Sequence, residues 1–193
     1  MSIQHTITSI TILGPLFILF LLALVVWTRV SKIRYTARQH AFILAFAIYI
    51  LGVMHFVFFP IDINIGMYAN QTPWYKTIQW VPLLTADVPS FVLNILLFMP
   101  LGFMLPMLKP SVASVRKAAS TGLIFSFLIE MLQLLIRITL GNGRSTDIND
   151  LIANTLGSVI GFLILKWFSE KAIGQRLLIP WKLPRSNLRK DMH

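Results

Sequence analysis

The stretch from Ala118 to Leu140, AASTGLIFSFLIEMLQLLIRITL, decides how the rest of the chain is read. At about 1.5 Å per helical residue it is long enough to cross a hydrocarbon layer of roughly 30 Å. Within it Gly122, Ser126, Glu130, Gln133 and Arg137 recur at intervals of four, four, three and four, so they share one face of a helix. The remaining circumference is almost entirely apolar. A helix of this pattern lies in lipid and turns its polar face to protein or water.

Working outward, four further stretches have spanning length: Thr8 to Trp27, Ala41 to Pro60, Ser90 to Leu108 and Asp150 to Phe168. The first has no Lys or Arg ahead of it and is too long for an export-signal core, which predicts a retained helix. Composition agrees: 56% of residues are hydrophobic, 12% are charged and the mean hydropathy is +0.74. A water-soluble core cannot use that much apolar surface. The fold class is therefore all-α, a polytopic membrane helical bundle of about five transmembrane helices with the lipid bilayer as its first partner. No internal repeat or composition shift marks a soluble domain, so residues 1–170 read as one transmembrane domain and 171–193 as a basic tail.

Several function classes drop out. Cysteine is absent, which removes disulfides and thiolate chemistry. The net charge of +10 would suggest nucleic acid in a soluble protein, but here its distribution reports topology. All 17 Lys and Arg except Lys76, Arg137 and Arg144 fall between the first and second spans, between the third and fourth, or at and beyond the end of the fifth. The positive-inside rule makes those segments cytoplasmic, with the N-terminus outside and the C-terminus inside. The tail interleaves Lys182, Arg185, Arg189 and Lys190 with Trp181, Leu183 and Leu188. It reads chiefly as a topology signal and solvated tail, and secondarily as a segment lying on anionic headgroups.

The one long connection, Ile61 to Pro89, falls outside and carries Trp74, Tyr75, Trp80, Pro73 and Pro82. Aromatics with prolines predict a re-entrant or interfacial segment, with anchoring at headgroup depth as their main duty.

Polar residues also align in the neighbouring spans. Asp147, Asp150, Asn154, Gly157 and Gly161 repeat at three, four, three and four; the third span carries Asn94, Gly102 and Pro106, with Pro100 set to bend the backbone. Under the predicted orientation Asn94 and Asn154 lie about 6 Å inside the outer boundary and Glu130 about 18 Å from the inner one. Asn94, Glu130, Gln133, Arg144, Asp147, Asp150 and Asn154 are thus expected to form one polar cluster opening outward. An ionised Glu130 costs about 2.5 to 3.5 kcal/mol near a helix centre and needs a partner or a proton. Gln133 and Arg144 are the candidates, Arg144 pairing with Glu130 or with Asp147. Each residue has a structural alternative. Asp147 can cap the fifth helix and Asp150 can complete a capping-box-like arrangement. Pro100, Gly102, Gly157 and Gly161 suit helix packing, and Asn94 and Gln133 can bond across helices. His55 is expected to be a packed polar residue. Acids without His or Cys make no zinc site, an oxygen-ligated divalent ion is at most faintly suggested, and neither metal nor cofactor is expected.

The joint order of three of these segments, Asn94-Ile-Leu-Leu-Phe-Met-Pro-Leu-Gly102, "IEMLQ" with Glu130 and Gln133, and "RSTDINDLIANTLG" from Arg144 to Gly157, resembles the signature of VanZ-like membrane proteins. "QWVPLL" from Gln79 to Leu84 is similar to the family's segment before the third span, although Gln79 and Trp80 replace an Asn-Leu pair. The resemblance covers about residues 74–165. It implies a bacterial cytoplasmic-membrane protein of a family whose named member is associated with low-level teicoplanin resistance. Its motif positions fall on Asn94, Pro100, Gly102, Glu130, Gln133, Arg144, Asp147, Asp150, Asn154 and Gly157.

Four functions compete on this evidence. The first is an accessory protein that binds an envelope lipid or cell-wall precursor from outside, with Arg144 holding a phosphate or carboxylate. A membrane enzyme acting on a lipid-linked or polyprenyl-phosphate substrate would use Glu130, Asp147 or Asp150, although no nucleophile stands out and its catalytic residues are unknown. A small proton-coupled transporter or flippase would use Glu130, but lacks an inverted repeat. In a purely structural protein the polar residues would serve only packing and caps.

Overall fold

The computed structural model describes residues 2–31, 34–70, 72–82 and 87–183. Five long helices carry it: α1 (Ser9–Val30), α2 (Ala37–Phe58), α3 (Val88–Leu108), α4 (Val115–Leu140) and α5 (Ile148–Glu170). Each is long and apolar enough to cross a membrane. A short α6 (Ala172–Leu178) follows. The expected multi-span helical fold is the one observed.

Several helices run past the hydropathic stretches, because hydropathy marks what lipid accepts while caps mark where a helix starts. Thr36 opens α2 with a reciprocal capping box to Gln39. That draws Arg38 and His40 into the helix. Ser114 accepts from the Lys117 amide and begins α4 ahead of the apolar run. At its other end Gly141, at φ 69°, takes the left-handed conformation that closes a helix most cheaply.

The connections contain short strands that hydropathy does not mark. Ile61–Ile65 forms β2, which pairs antiparallel with β1 (Ile3–Ile7), Thr6 facing Asp62. The Thr6 hydroxyl donates to the Asp62 carboxylate at 2.8 Å. Farther along, β3 (Ile78–Gln79) pairs in parallel with β4 (Thr146–Asp147), just ahead of α5. Ahead of α3, which takes in Val88 and Pro89, the described residues of the long connection are therefore two strands and two short 3-10 turns. Trp74, Tyr75 and Trp80 are exposed on it. Leu83 and Leu84 of "QWVPLL" lie outside the described residues.

Packing is uneven. α3 and α5 share the most extensive interface, followed by α4 and α5. Small residues set the first: a Cβ at Gly157 would overlap the Ile95 carbonyl, one at Gly161 the Met99 carbonyl, and one at Gly102 the Ser158 carbonyl. Backbone thus meets backbone along the seam. Helix α3 continues through Pro100 and Pro106. Only Leu13 of α1 is buried, beside Phe58, Phe59 and Ile61. At the opposite end Phe42, Met107, Ala118, Phe162, Leu165 and Leu178 form a second cluster. Leu178 belongs to α6, so the first part of the expected tail folds against the bundle, and Gln39 Nε2 donates to the Lys182 carbonyl at 2.6 Å. The rest of the tail, with Arg185, Leu188, Arg189 and Lys190, lies outside the described residues.

Candidate functional site

The buried face of α4 comprises Ala118, Gly122, Ser126, Glu130 and Arg137, with Gln133 half-buried beside them. It meets the face of α5 that carries Asn149, Asn154, Gly157, Ser158 and Gly161. Glu130 is only 2% exposed, and its Oε2 accepts the backbone N–H of Asp147 at 3.1 Å. That amide sits at the start of α5, where helix N–H groups have no intrahelical acceptor and the macrodipole favours negative charge.

Asp147 caps α5, its Oδ1 accepting from Asn149 N at 2.8 Å and Asn149 Nδ2 at 2.9 Å. Asp150 completes no capping box. Its Oδ1 instead accepts from Asn94 Nδ2 at 2.6 Å, joining α3 to α5. Below it, Asn154 Nδ2 donates to the Ser126 hydroxyl at 2.9 Å, and that hydroxyl donates to the Asp150 carbonyl at 3.3 Å.

Arg144 has other partners than the acids foreseen for it. Its Nη2 donates to the Phe59 carbonyl at 2.9 Å. Burial draws its guanidinium below the usual range, and the carboxylate of Asp62 on β2 opposes that shift. Gln133 Nε2 donates to the Val57 carbonyl at 2.9 Å. Both side chains thus satisfy carbonyls at the C-terminal end of α2, which an α-helix leaves unpaired. Arg137 is buried and holds the loop before α5 through bonds to the carbonyls of Asn142, 3.2 Å, and Arg144, 2.9 Å.

These residues surround a cavity of about 550 Å³ between α2, α3, α4 and α5. Asn94, Glu130, Gln133, Arg144, Asp150 and Asn154 all line it, with Phe56, Val57, Leu93, Leu96, Leu97 and Ile129 as the apolar part. A second cavity of about 240 Å³, lined by Gln79, Asp87, Ser90, Phe91, Ser145, Asp147, Asn149 and Asp150, shares Ser90 and Asp150 with the first. Six of the seven residues expected in one cluster therefore meet in one cavity, and Asp147 stands in the adjoining one. Pro100, Gly102, Gly157 and Gly161 line neither; the glycines sit on the α3–α5 seam.

Sequence reasoning missed the apolar half of the wall. No local pattern distinguishes Phe56 or Leu93 from the other apolar residues of their spans, and no periodicity says that α2 closes a site built on α3, α4 and α5. It also missed Ser90 and Asp87. Their signal was present, since an Asp three residues before a Ser at a helix start is a cap, and Asp87 Oδ2 accepts both Ser90 N and Ser90 Oγ. His55, expected to be packed, is exposed on α2, because the bundle covers a different face of that helix. Among the described residues no group of three or more His, Cys, Asp and Glu is placed to hold a metal ion.

Five helices long and apolar enough to cross a membrane, four of them around a cavity with a polar wall, define a multi-pass α-helical membrane protein. A family model described as VanZ/LLP1 matches residues 46–169. The chain belongs to that family, and the match begins earlier than the motifs alone suggest, inside α2. Among curated proteins and among solved structures nothing matches the chain.

Proposed function

We propose that this protein sits in the bacterial cytoplasmic membrane with its N-terminus outside and its C-terminus cytoplasmic, and that it binds or acts on a cell-envelope component through the α3–α4–α5 cavity. Its physiological effect is then lowered susceptibility to a glycopeptide such as teicoplanin. The observation that carries this reading is the convergence of Asn94, Glu130, Gln133, Arg144, Asp150 and Asn154 on one cavity of ligand size. The cavity lies where α2 ends and α3 and α5 begin, which is the outer end when the basic loops are cytoplasmic. Binding is the primary reading; an acid–base reaction is the second, favoured by two carboxylates, Glu130 and Asp150, in one wall.

Glu130→Gln tests the site, since it removes the charge at almost unchanged shape. Expressed in a susceptible host, the parent chain should raise the teicoplanin concentration needed to inhibit growth, and Glu130→Gln and Arg144→Ala should abolish the effect at equal membrane abundance. Full activity of both abundant variants would sink the reading. Incubating the purified protein with lipid-linked precursors and analysing masses divides binding from turnover: a changed mass that Glu130→Gln prevents establishes the reaction.

A further inference from the structure

The cavity is open on one side to the surroundings of the helices. Phe56 on α2 and Leu93 and Leu96 on α3 line it, yet are 69%, 63% and 54% exposed. All three lie within segments apolar enough to cross a membrane, Leu96 about 12 Å along α3 at about 1.5 Å per residue. Their surroundings at that depth are acyl chains. The same cavity meets the smaller, polar one at Ser90 and Asp150, toward Asp87, which is fully exposed. One end is thus apolar and lipid-facing while the other is polar and wet.

Two side-chain amides of the polar end have one group left over. The Val57 carbonyl can only accept, so the nitrogen of Gln133 must face it and Gln133 Oε1 is left as a buried acceptor without a partner. The Ser126 hydroxyl has one proton, directed to the Asp150 carbonyl, so it must accept from Asn154 Nδ2. This leaves Asn154 Oδ1 in the same condition, on a residue only 4% exposed. The polar wall therefore holds two amide oxygens lacking donors, together with the carboxylates of Glu130 and Asp150. Its cation, Arg144, is already directed to Phe59 and offset by Asp62. Buried acceptors ask for donors. A phosphate offers none when ionised. An ammonium gathers its donors at a single point, whereas the acceptors here are separate and spread over α4 and α5 around one cavity, an arrangement that suits several hydroxyls.

We infer that the gap between α2 and α3 is a lateral portal for a membrane amphiphile, and that its headgroup is rich in hydroxyls, as in a glycolipid, donating to Gln133, Asn154 and the two carboxylates. The inference rests on the proposed envelope-binding role and narrows its ligand class. Where Arg144 alone suggests an anionic head, the whole wall selects a donor.

The test uses the full chain in nanodiscs of phosphatidylcholine doped in turn with monoglucosyldiacylglycerol, diacylglycerol, phosphatidic acid and phosphatidylethanolamine of the same acyl chains, with retained lipid read by native mass spectrometry. The glucosyl lipid should be retained at least tenfold over diacylglycerol and over both phospholipids. Gln133→Met should lower that ratio several-fold. Leu93→Trp, at an exposed position outside the polar wall, should lower occupancy while keeping the preference among bound lipids. Equal retention of glucosyl lipid and diacylglycerol, or selection of either phospholipid, overturns the inference, as does undiminished loading of Leu93→Trp. If the glucosyl preference fails while Glu130→Gln still abolishes the susceptibility effect, the ligand class falls and the envelope role stands. If Glu130→Gln and Arg144→Ala are both fully active at equal membrane abundance, the envelope role falls whatever the lipid.

Discussion

Gly161→Ala and Gly52→Ala make the same chemical change in two helices and should move stability in opposite directions. At Gly161 the new methyl would stand 2.8 Å from the Met99 carbonyl carbon and 3.1 Å from its Cα, with the carbonyl oxygen nearer still. Ordinary carbon contacts begin at about 3.5 Å, so α3 and α5 must part locally by roughly 0.7 Å or more. The obstructing atoms are backbone, so no rotamer change relieves them. Overpacking of this kind costs about 1 to 3 kcal/mol, against which alanine's better helix propensity returns at most about 1 kcal/mol. A net loss of up to about 3 kcal/mol follows for Gly161→Ala. At Gly52 nothing lies within 4 Å of the added methyl. There the propensity gain stands alone, a stabilisation of up to about 1 kcal/mol. Unfolding of the purified protein in mixed micelles, followed by tryptophan fluorescence, measures both. Equal shifts for the two variants, or a Gly161→Ala protein as stable as the parent, would refute close backbone packing at this seam.

Three other outcomes follow from the caps and the charge pattern. Asp147→Asn should keep both stability and function, since Asn also caps, while Asp147→Ala should lose about 1 kcal/mol; in both, the backbone N–H that meets Glu130 remains, so a dead Asp147→Asn protein would give this carboxylate a duty beyond capping. The hydroxyl and amide of Ser90 hold the Asp87 carboxyl below the usual aspartate range. A lowered folded-state value means that this cap is fully present above the ordinary range and is lost as pH falls through the folded value, so amide exchange in the first turn of α3 should quicken on acidification and Asp87→Ala should remove that dependence. Because the chain has no cysteine, single reporters can be added without background: Gln4→Cys should react with a membrane-impermeant maleimide on intact cells and Lys171→Cys only after permeabilisation, and the reverse pattern would invert the proposed orientation.

The polar stripe on α4 was legible because helical periodicity is local: residues four apart must share a face whatever surrounds them. Lipid then dictated that this face turn inward, which is why Ser126, Glu130 and Arg137 are buried. The partner of each group was not legible. Arg144 has five donors and two acids, Asp147 and Asp150, within six residues, yet its Nη2 goes to the Phe59 carbonyl, 85 positions earlier, between the end of α2 and the strand that pairs with β1. Those strands are five residues each, too short to form unless the pairing partner is already delivered.

From the sequence alone came the five apolar spans, the family motifs and the faces on which Asn94, Glu130, Asp150 and Asn154 would lie. These follow from hydropathy and helix geometry, which act over a few residues. Only the tertiary structure decided that α2 closes the site, that Glu130 meets the start of α5 rather than an arginine, and that Phe56, Leu93 and Leu96 leave one side open. Those outcomes depend on which helices touch and in what rotation. Glycines at the α3–α5 seam settle that by letting backbones approach, and the spacing of a single helix does not encode it.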